Sequence, residues 1–165
     1  MLLERKLEAR LAELGLDAPD YSVPPGDFNA AMSDAHVLPG SRVGNIVYIT
    51  AIPSINGRWF YQGTLGQDLT VEEGYKASQL AALSALLELK HVIHDLDRLD
   101  RIALMIGYIT SAPGFTDQPR VLNGASDMFH ELLGERGRHA RAAIGCVGMV
   151  GGHAVEIFVT AVLKE

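Results

Sequence analysis

Leucines at positions 3, 7, 11 and 14 recur every three or four residues, which predicts a helix over residues 2–14 with one apolar face, stopped by Gly15. Residues 18–44 lose that rhythm. Prolines 19, 24, 25 and 39 predict an extended segment or a long loop. The β-branched and aromatic run 45–52 predicts a strand. Asn56-Gly57 then signals a hairpin, with residues 58–62 as the returning strand. Thr70-Val-Glu-Glu73 is a capping box that opens a long helix running to about Ile93, and alanines 77, 81, 82 and 85 let it lie close to a sheet. Residues 99–110 predict a strand apolar on both faces, with Ile102, Leu104 and Ile106 on one and Ala103, Met105 and Ile109 on the other. Pro113-Gly114 and Asp117-Gln-Pro119 mark a loop, and residues 121–133 form a second helix ended by Gly134. Two further strands, apolar at nearly every position, flank a turn at Gly151-Gly152.

This order predicts an α+β fold with two helices packed on one face of a mixed β-sheet. Residues 1–165 read as one domain, with a helix and an extended segment (1–43) ahead of the core. Two helices cover one sheet face only, yet the central strands are apolar on both. The other face therefore needs a cover. The N-terminal segment could supply part of it, and a homo-oligomer packing sheet against sheet is the better candidate.

Composition narrows the function classes. A chain of 165 residues with 48% hydrophobic and 21% charged residues is an ordinary soluble domain. The net charge of −6 argues against a nucleic-acid binder held by phosphate contacts. Cys146 is alone, which excludes an intrachain disulfide and a multi-cysteine zinc site, and its apolar strand predicts a buried thiol. The N-terminus alternates charge with leucine and is neither a signal peptide nor a membrane span, so a cytoplasmic protein without a membrane partner is expected.

Charges set among the C-terminal apolar positions are costly unless something pairs with them. Arg141 and Glu156 are therefore a structural pair or a site. In a two-residue hairpin at Gly151-Gly152, Arg141 would face Val162, roughly 20 Å along the strand from Glu156. They could meet only across a subunit boundary. Arg141 is a candidate anchor for a substrate carboxylate, because a guanidinium makes two parallel hydrogen bonds to it; the alternative is a rim arginine in the cluster Arg136, Arg138, His139, Arg141. His91 and His94, near Asp95 and Asp97, fit a solvated helix end better than a metal site. No P-loop, dinucleotide fingerprint or nucleophile elbow is present.

Gly44-Asn-Ile-Val-Tyr-Ile-Thr50, the capped helix from Thr70, Pro113-Gly-Phe-Thr-Asp-Gln-Pro119, Val121-Leu-Asn123, His139-Ala-Arg141 and Val155-Glu156-Ile157 together resemble the reactive intermediate deaminase (Rid, also called YjgF-like) family, in a longer-chain branch. The resemblance implies a chorismate-mutase-like fold, a homotrimer and clefts between subunits. It implies that Arg141 grips the substrate carboxylate, Glu156 handles the attacking water and Asn123 lines the cleft. Thr50 stands where a serine is usual, and either Phe28 or His36 takes the place of a cleft tyrosine. The implied activity is hydrolysis of 2-imino or 2-enamino acids to 2-keto acids and ammonia, without metal or organic cofactor. A non-catalytic carboxylate-binding protein and an endoribonuclease are the alternative functions. The chain departs from the family at Ala51-Ile52, where Gly-Gln is usual, and at Ala143, where cysteine is common.

Overall fold

The computed structural model describes residues 2–21, 38 and 40–165. Helix α1 (Leu2–Glu13) buries Leu3, Leu7 and Leu11 as their spacing predicts, but it stops before Leu14, the fourth leucine of the expected stripe, which is exposed; Gly15 follows at φ 71°. Each buried leucine contributes about 1.5–3 kcal/mol. The Asp97 carboxylate accepts from the backbone N–H groups of Leu2 and Leu3, and the Glu4 carboxylate pairs with Lys90 at 2.6 Å. Lys6 donates to the carbonyl of Leu132. These contacts place α1 on the outer side of the other helices. Its leucine stripe packs in the helix layer, so α1 does not cover the open sheet face; residues 22–37 and 39 of the N-terminal segment, which the expectation of a partial cover also includes, lie outside the described residues.

Strands β1 (Gly40–Val43), β2 (Ile46–Ala51), β5 (Leu99–Thr110), β6 (Ala140–Cys146) and β7 (Val155–Leu163) form one sheet in the order β1-β2-β7-β5-β6. Among the described strands of this sheet only β5 and β6 run parallel. The hairpin at Asn56-Gly57 is present, with φ 51° and 74°, as the primed turns require. Its strands β3 (Ser54–Ile55) and β4 (Arg58–Trp59) pair apart from the main sheet, and the returning strand is shorter than the expected 58–62.

Helix α2 (Val71–Ile93) starts with both halves of the capping box: Glu73 N–H donates to Thr70 Oγ1 at 3.2 Å, and Thr70 N–H donates to Glu73 Oε2 at 2.8 Å. Helix α3 (Gln118–Leu133) begins three residues before the expected start, because Pro119 sits in its first turn, where the missing N–H costs nothing. The two helices meet closely at Gly124: a Cβ there would lie 2.0 Å from the Tyr75 carbonyl oxygen, so no side chain fits. Both pack on the face carrying Val47, Ile49, Ala51, Met105, Ile109, Ile157, Val159 and Ala161, all buried.

The connection at Gly151-Gly152 overturns the expected C-terminal hairpin. Residues Val150–Gly152 form a short 3-10 turn, and β6 and β7 are not neighbours: β5 lies between them. Local turn chemistry was right about positive φ at both glycines, at 67° and 71°, but nothing local specifies which strand is paired. In consequence β6 is an edge strand, and Cys146 at its end is half-buried, not a core thiol. The facing of β5 also differs from strict alternation. Register shifts between Leu99 and Arg101 and between Ile102 and Leu104 put Ile102 in the core with Met105 and Ile109.

Glu88, in the middle of α2, is 1% exposed, and its Oε2 has no hydrogen-bond partner among the described residues. Burial pushes its carboxyl up to about 8. The folded state therefore holds a proton that the unfolded chain releases near the ordinary glutamate value. Stability from this group is complete below about pH 4.5 and is lost as pH rises toward 8, by on the order of 3–5 kcal/mol. Glu88→Gln is expected to match the parent near pH 5 and to melt about 5–15 °C higher at pH 8 at equal protein concentration. Parallel melting curves for the two proteins across that range would show that Glu88 is not held neutral.

Candidate functional site

Sheet register separates Arg141 from Glu156. Arg141 pairs with Met105 and Glu156 with Tyr108, three positions apart on a stretch of β5 without a bulge. Side chains alternate along a strand, so the two residues project from opposite faces. They do not touch within one chain, as expected, but the reason is the sheet's two sides and not distance along a hairpin.

On the helix face, Arg141 leans against α3. Its Nη1 donates to Asn123 Oδ1 at 2.9 Å and to Ser126 Oγ at 3.0 Å, while Nη2 reaches the Pro119 carbonyl at 3.4 Å. Asn123 and Ser126 are one helical turn apart, which puts both on the same side of α3. Ser126 in turn lies 3.1 Å from His139 Nε2, and His139 Nδ1 lies 2.6 Å from the Gly137 carbonyl oxygen. Burial first, and then the Arg141 charge, hold the His139 imidazole below its ordinary value, outweighing the opposite pull of the Gly137 carbonyl. His139 is therefore neutral near pH 7. The cavity beside this cluster measures about 430 Å³ and is lined by Ser126, Asp127, His130, Arg138, His139 and Arg141, among others.

The remainder of the basic cluster is otherwise engaged. Arg136 donates to the Leu99 carbonyl at 2.7 Å, and exposed Arg138 pairs with Glu135 at 3.1 Å. No continuous row of free arginines forms there.

On the open face, Glu156 is half-buried, and burial raises its carboxyl above the ordinary range. Thr50 pairs with Phe158, two residues from Glu156, so Thr50 and Glu156 are diagonal neighbours on one face. Tyr108 stacks edge-on against Phe158, with ring centroids 5.6 Å apart. A trough of about 290 Å³ runs past Tyr48, Thr50, Ile106, Phe158 and Thr160. Exposed Tyr48, Leu104, Ile144 and Phe158 stand on this face, where solvent is a poor neighbour for so much apolar surface. Ala51, one of the family departures, points the other way, into the helix layer, and is 3% exposed.

The structure thus groups the expected residues as Arg141 with Asn123 on one face and Glu156 with Thr50 on the other. Phe28 and His36 lie outside the described residues. His94 takes the left-handed conformation that ends α2, at φ 65°, and among the described residues no group of three or more His, Cys, Asp or Glu is placed to hold a metal. Among them, too, no helix is long and apolar enough to cross a membrane. Sequence reasoning missed Ser126 and the role of His139. Two spacings could have found them: Ser126 is three residues after Asn123 on a helix, and His139 is two before Arg141 at the start of a strand.

The profile of the family described as "YjgF/chorismate mutase-like, putative endoribonuclease" matches residues 8–159. A Trypanosoma cruzi protein named TCP17 is 33% identical over 159 residues, spanning 92% of this chain and 91% of its own. An Agrobacterium tumefaciens protein of unknown function superposes with a TM-score of 0.82 at 30% identity, over 98% of this chain and 95% of that one. A Shewanella oneidensis protein named a "putative endoribonuclease" gives 0.79 at 32% identity, over 95% and 99%. With the mixed sheet, the helix layer on one face and matches along nearly its whole length, this chain belongs to the YjgF/Rid family and has its chorismate-mutase-like fold.

Proposed function

We propose that the protein hydrolyses 2-imino or 2-enamino acids to 2-keto acids and ammonia, in clefts assembled between the subunits of a homotrimer. The observation that carries this reading is the state of Arg141. A guanidinium has five N–H donors. Three of those on Arg141 are used by Asn123, Ser126 and Pro119. One on Nε and one on Nη2 remain, on a half-buried side chain of an edge strand. Two donors on a fixed plane suit a carboxylate.

The chemistry needs a second group. Water adds to the electrophilic C2 of the iminium while Glu156 takes one of its protons. Glu156 then returns that proton to the carbinolamine nitrogen and accepts the hydroxyl proton as the C–N bond breaks, so that C=O forms, nitrogen leaves as ammonia and the last proton passes from Glu156 to solvent. Burial raises the Glu156 carboxyl, which makes its carboxylate a stronger base than an exposed glutamate. Because Glu156 and Arg141 project from opposite faces of one sheet, a site using both takes Glu156 and Thr50 from one protomer and Arg141 from another. The exposed apolar side chains of the open face support such an assembly.

Names of relatives raise endoribonuclease activity as another reading. The net charge of −6 and the engagement of Arg136 and Arg138 weigh against it. A carboxylate binder without turnover rests on the departure at Ala51-Ile52, and the inward position of Ala51 leaves Thr50 on the open face regardless.

Two measurements test the proposal together. Sedimentation at micromolar concentration is expected to give a trimer, and a coupled assay generating imines from several amino acids is expected to show their lifetimes shortened by the protein. A stable monomer would remove the intersubunit site. A trimer that binds 2-oxobutanoate yet leaves imine lifetimes unchanged would establish the binder instead.

A further inference from the structure

We infer that Ser126 and His139 are positioning residues that fix the guanidinium of Arg141 so that its Nε–Nη2 edge receives the substrate carboxylate. The inference rests on the carboxylate-clamp reading of Arg141 and goes beyond it. It assigns a task to two residues that would not touch substrate, and it names the edge that does.

The direction of each bond follows from elimination. The Gly137 carbonyl can only accept, so His139 Nδ1 carries the hydrogen in the bond at 2.6 Å. A neutral imidazole then presents Nε2 as an acceptor, and the Ser126 hydroxyl donates to it. With its hydrogen committed to His139, Ser126 Oγ offers only lone pairs to Arg141, which suits the donor at 3.0 Å. The chain therefore runs in one sense, from Arg141 through Ser126 and His139 to a backbone carbonyl. The lowered basicity of His139 agrees with it, since a second cation at that place would donate and not accept.

The anchor of the chain is rigid. Gly137 follows α3 and is buried; a Cβ there would lie 2.2 Å from the Phe129 carbonyl oxygen. The His139 ring also meets the Phe129 ring edge-on, with centroids 5.8 Å apart. Asn123 and Ser126 together consume both Nη1 hydrogens. The two remaining N–H groups then sit on Nε and Nη2, so a carboxylate is received side-on and not end-on. Without Ser126 an Nη1 hydrogen is released and the guanidinium can turn about Cδ–Nε. Orientation lost in this way weakens the bound state even though no substrate contact has been deleted.

The test measures 2-oxobutanoate binding by calorimetry, with melting temperature as the check on folding, for the parent, Ser126→Ala, Ser126→Thr, His139→Asn and the double variant Ser126→Ala/His139→Asn. Asparagine can still donate toward Gly137 but offers Ser126 no ring nitrogen. Ser126→Ala and His139→Asn are each expected to bind about tenfold more weakly, the scale of one hydrogen bond to a charged group. Ser126→Thr should bind within about threefold of the parent, because the hydroxyl is kept. The double variant should be no worse than the weaker single one, since both break the same chain. Arg141→Lys serves as the reference. If it loses binding while Ser126→Ala and His139→Asn bind like the parent, the positioning role is overturned and the clamp stands. The positioning role also falls if Ser126→Thr is as poor as Ser126→Ala, or if the two single losses multiply. A parent that binds no keto acid, or an Arg141→Lys variant that binds as tightly, overturns the clamp and the positioning role with it.

Discussion

Glu156→Gln is expected to slow imine hydrolysis by about 10²–10⁴-fold, the range for a lost general acid or base, while keeping keto-acid binding. Glutamine has nearly the same shape and can hold a water, but it cannot take the proton that water must lose as it attacks C2. On the proposed mechanism the parent protein should also show a rate that falls as pH drops through the Glu156 value, because the carboxylate form is the base. Burial raises that value, so the fall should come above the ordinary glutamate range. In the glutamine variant the same acid limb should vanish from the residual rate. Stopped-flow consumption of an imine generated in situ from an amino acid reads both effects. Equal rates for parent and variant would remove Glu156 from the mechanism and leave Thr50 or the substrate itself to activate water. A variant that no longer assembles would show the carboxylate to be half of a charge pair between subunits.

The second large effect belongs to Arg141. Arg141→Lys should weaken 2-oxobutanoate binding by about 10²-fold, because a lysine ammonium has three donors at one point and no planar fork. It can keep Asn123 or Ser126, or reach the carboxylate, but it cannot do all of these at once. The melting temperature should change by only a few degrees, since Arg141 is half-buried on an edge strand, where losing surface contacts costs little. Calorimetric titration of the variant decides it. Unchanged affinity would make Arg141 a brace for the start of α3 and move the carboxylate site elsewhere.

Local patterns carried far in this chain. The Leu3, Leu7 and Leu11 positions of α1, the capping box of α2, the Asn56-Gly57 turn and the stop at Gly134 stand where their spacing and turn chemistry put them. The strand over residues 99–110 also has the expected bounds. The failures share a cause. At Gly151-Gly152 the sequence shows two strands and two residues free to adopt positive φ, and a hairpin satisfies those signals as well as a crossing does. What separates β6 from β7 is β5, recruited from well upstream in the chain. Likewise, the place of Ile102 depends on two register shifts against β7 that alternation within β5 does not reveal.

The candidate site divides in the same way. Residue identity was enough to single out Arg141 and Glu156, because a charge in an apolar strand needs a partner wherever the strand goes, whereas Asn123 and Thr50 were picked out by the family resemblance. Their grouping was a matter of tertiary structure. Parity along β5 puts Arg141 and Glu156 on opposite faces, and docking of α3 on β6 brings Asn123, Ser126 and His139 to the guanidinium. The sequence by itself determined the elements, their caps and the kind of chemistry available, since these follow from interactions among residues close in the chain. Strand order, sheet parity and the hydrogen bonds around Arg141 were decided by the fold, because they arise from pairings between distant segments whose free energy appears only when the whole sheet has formed.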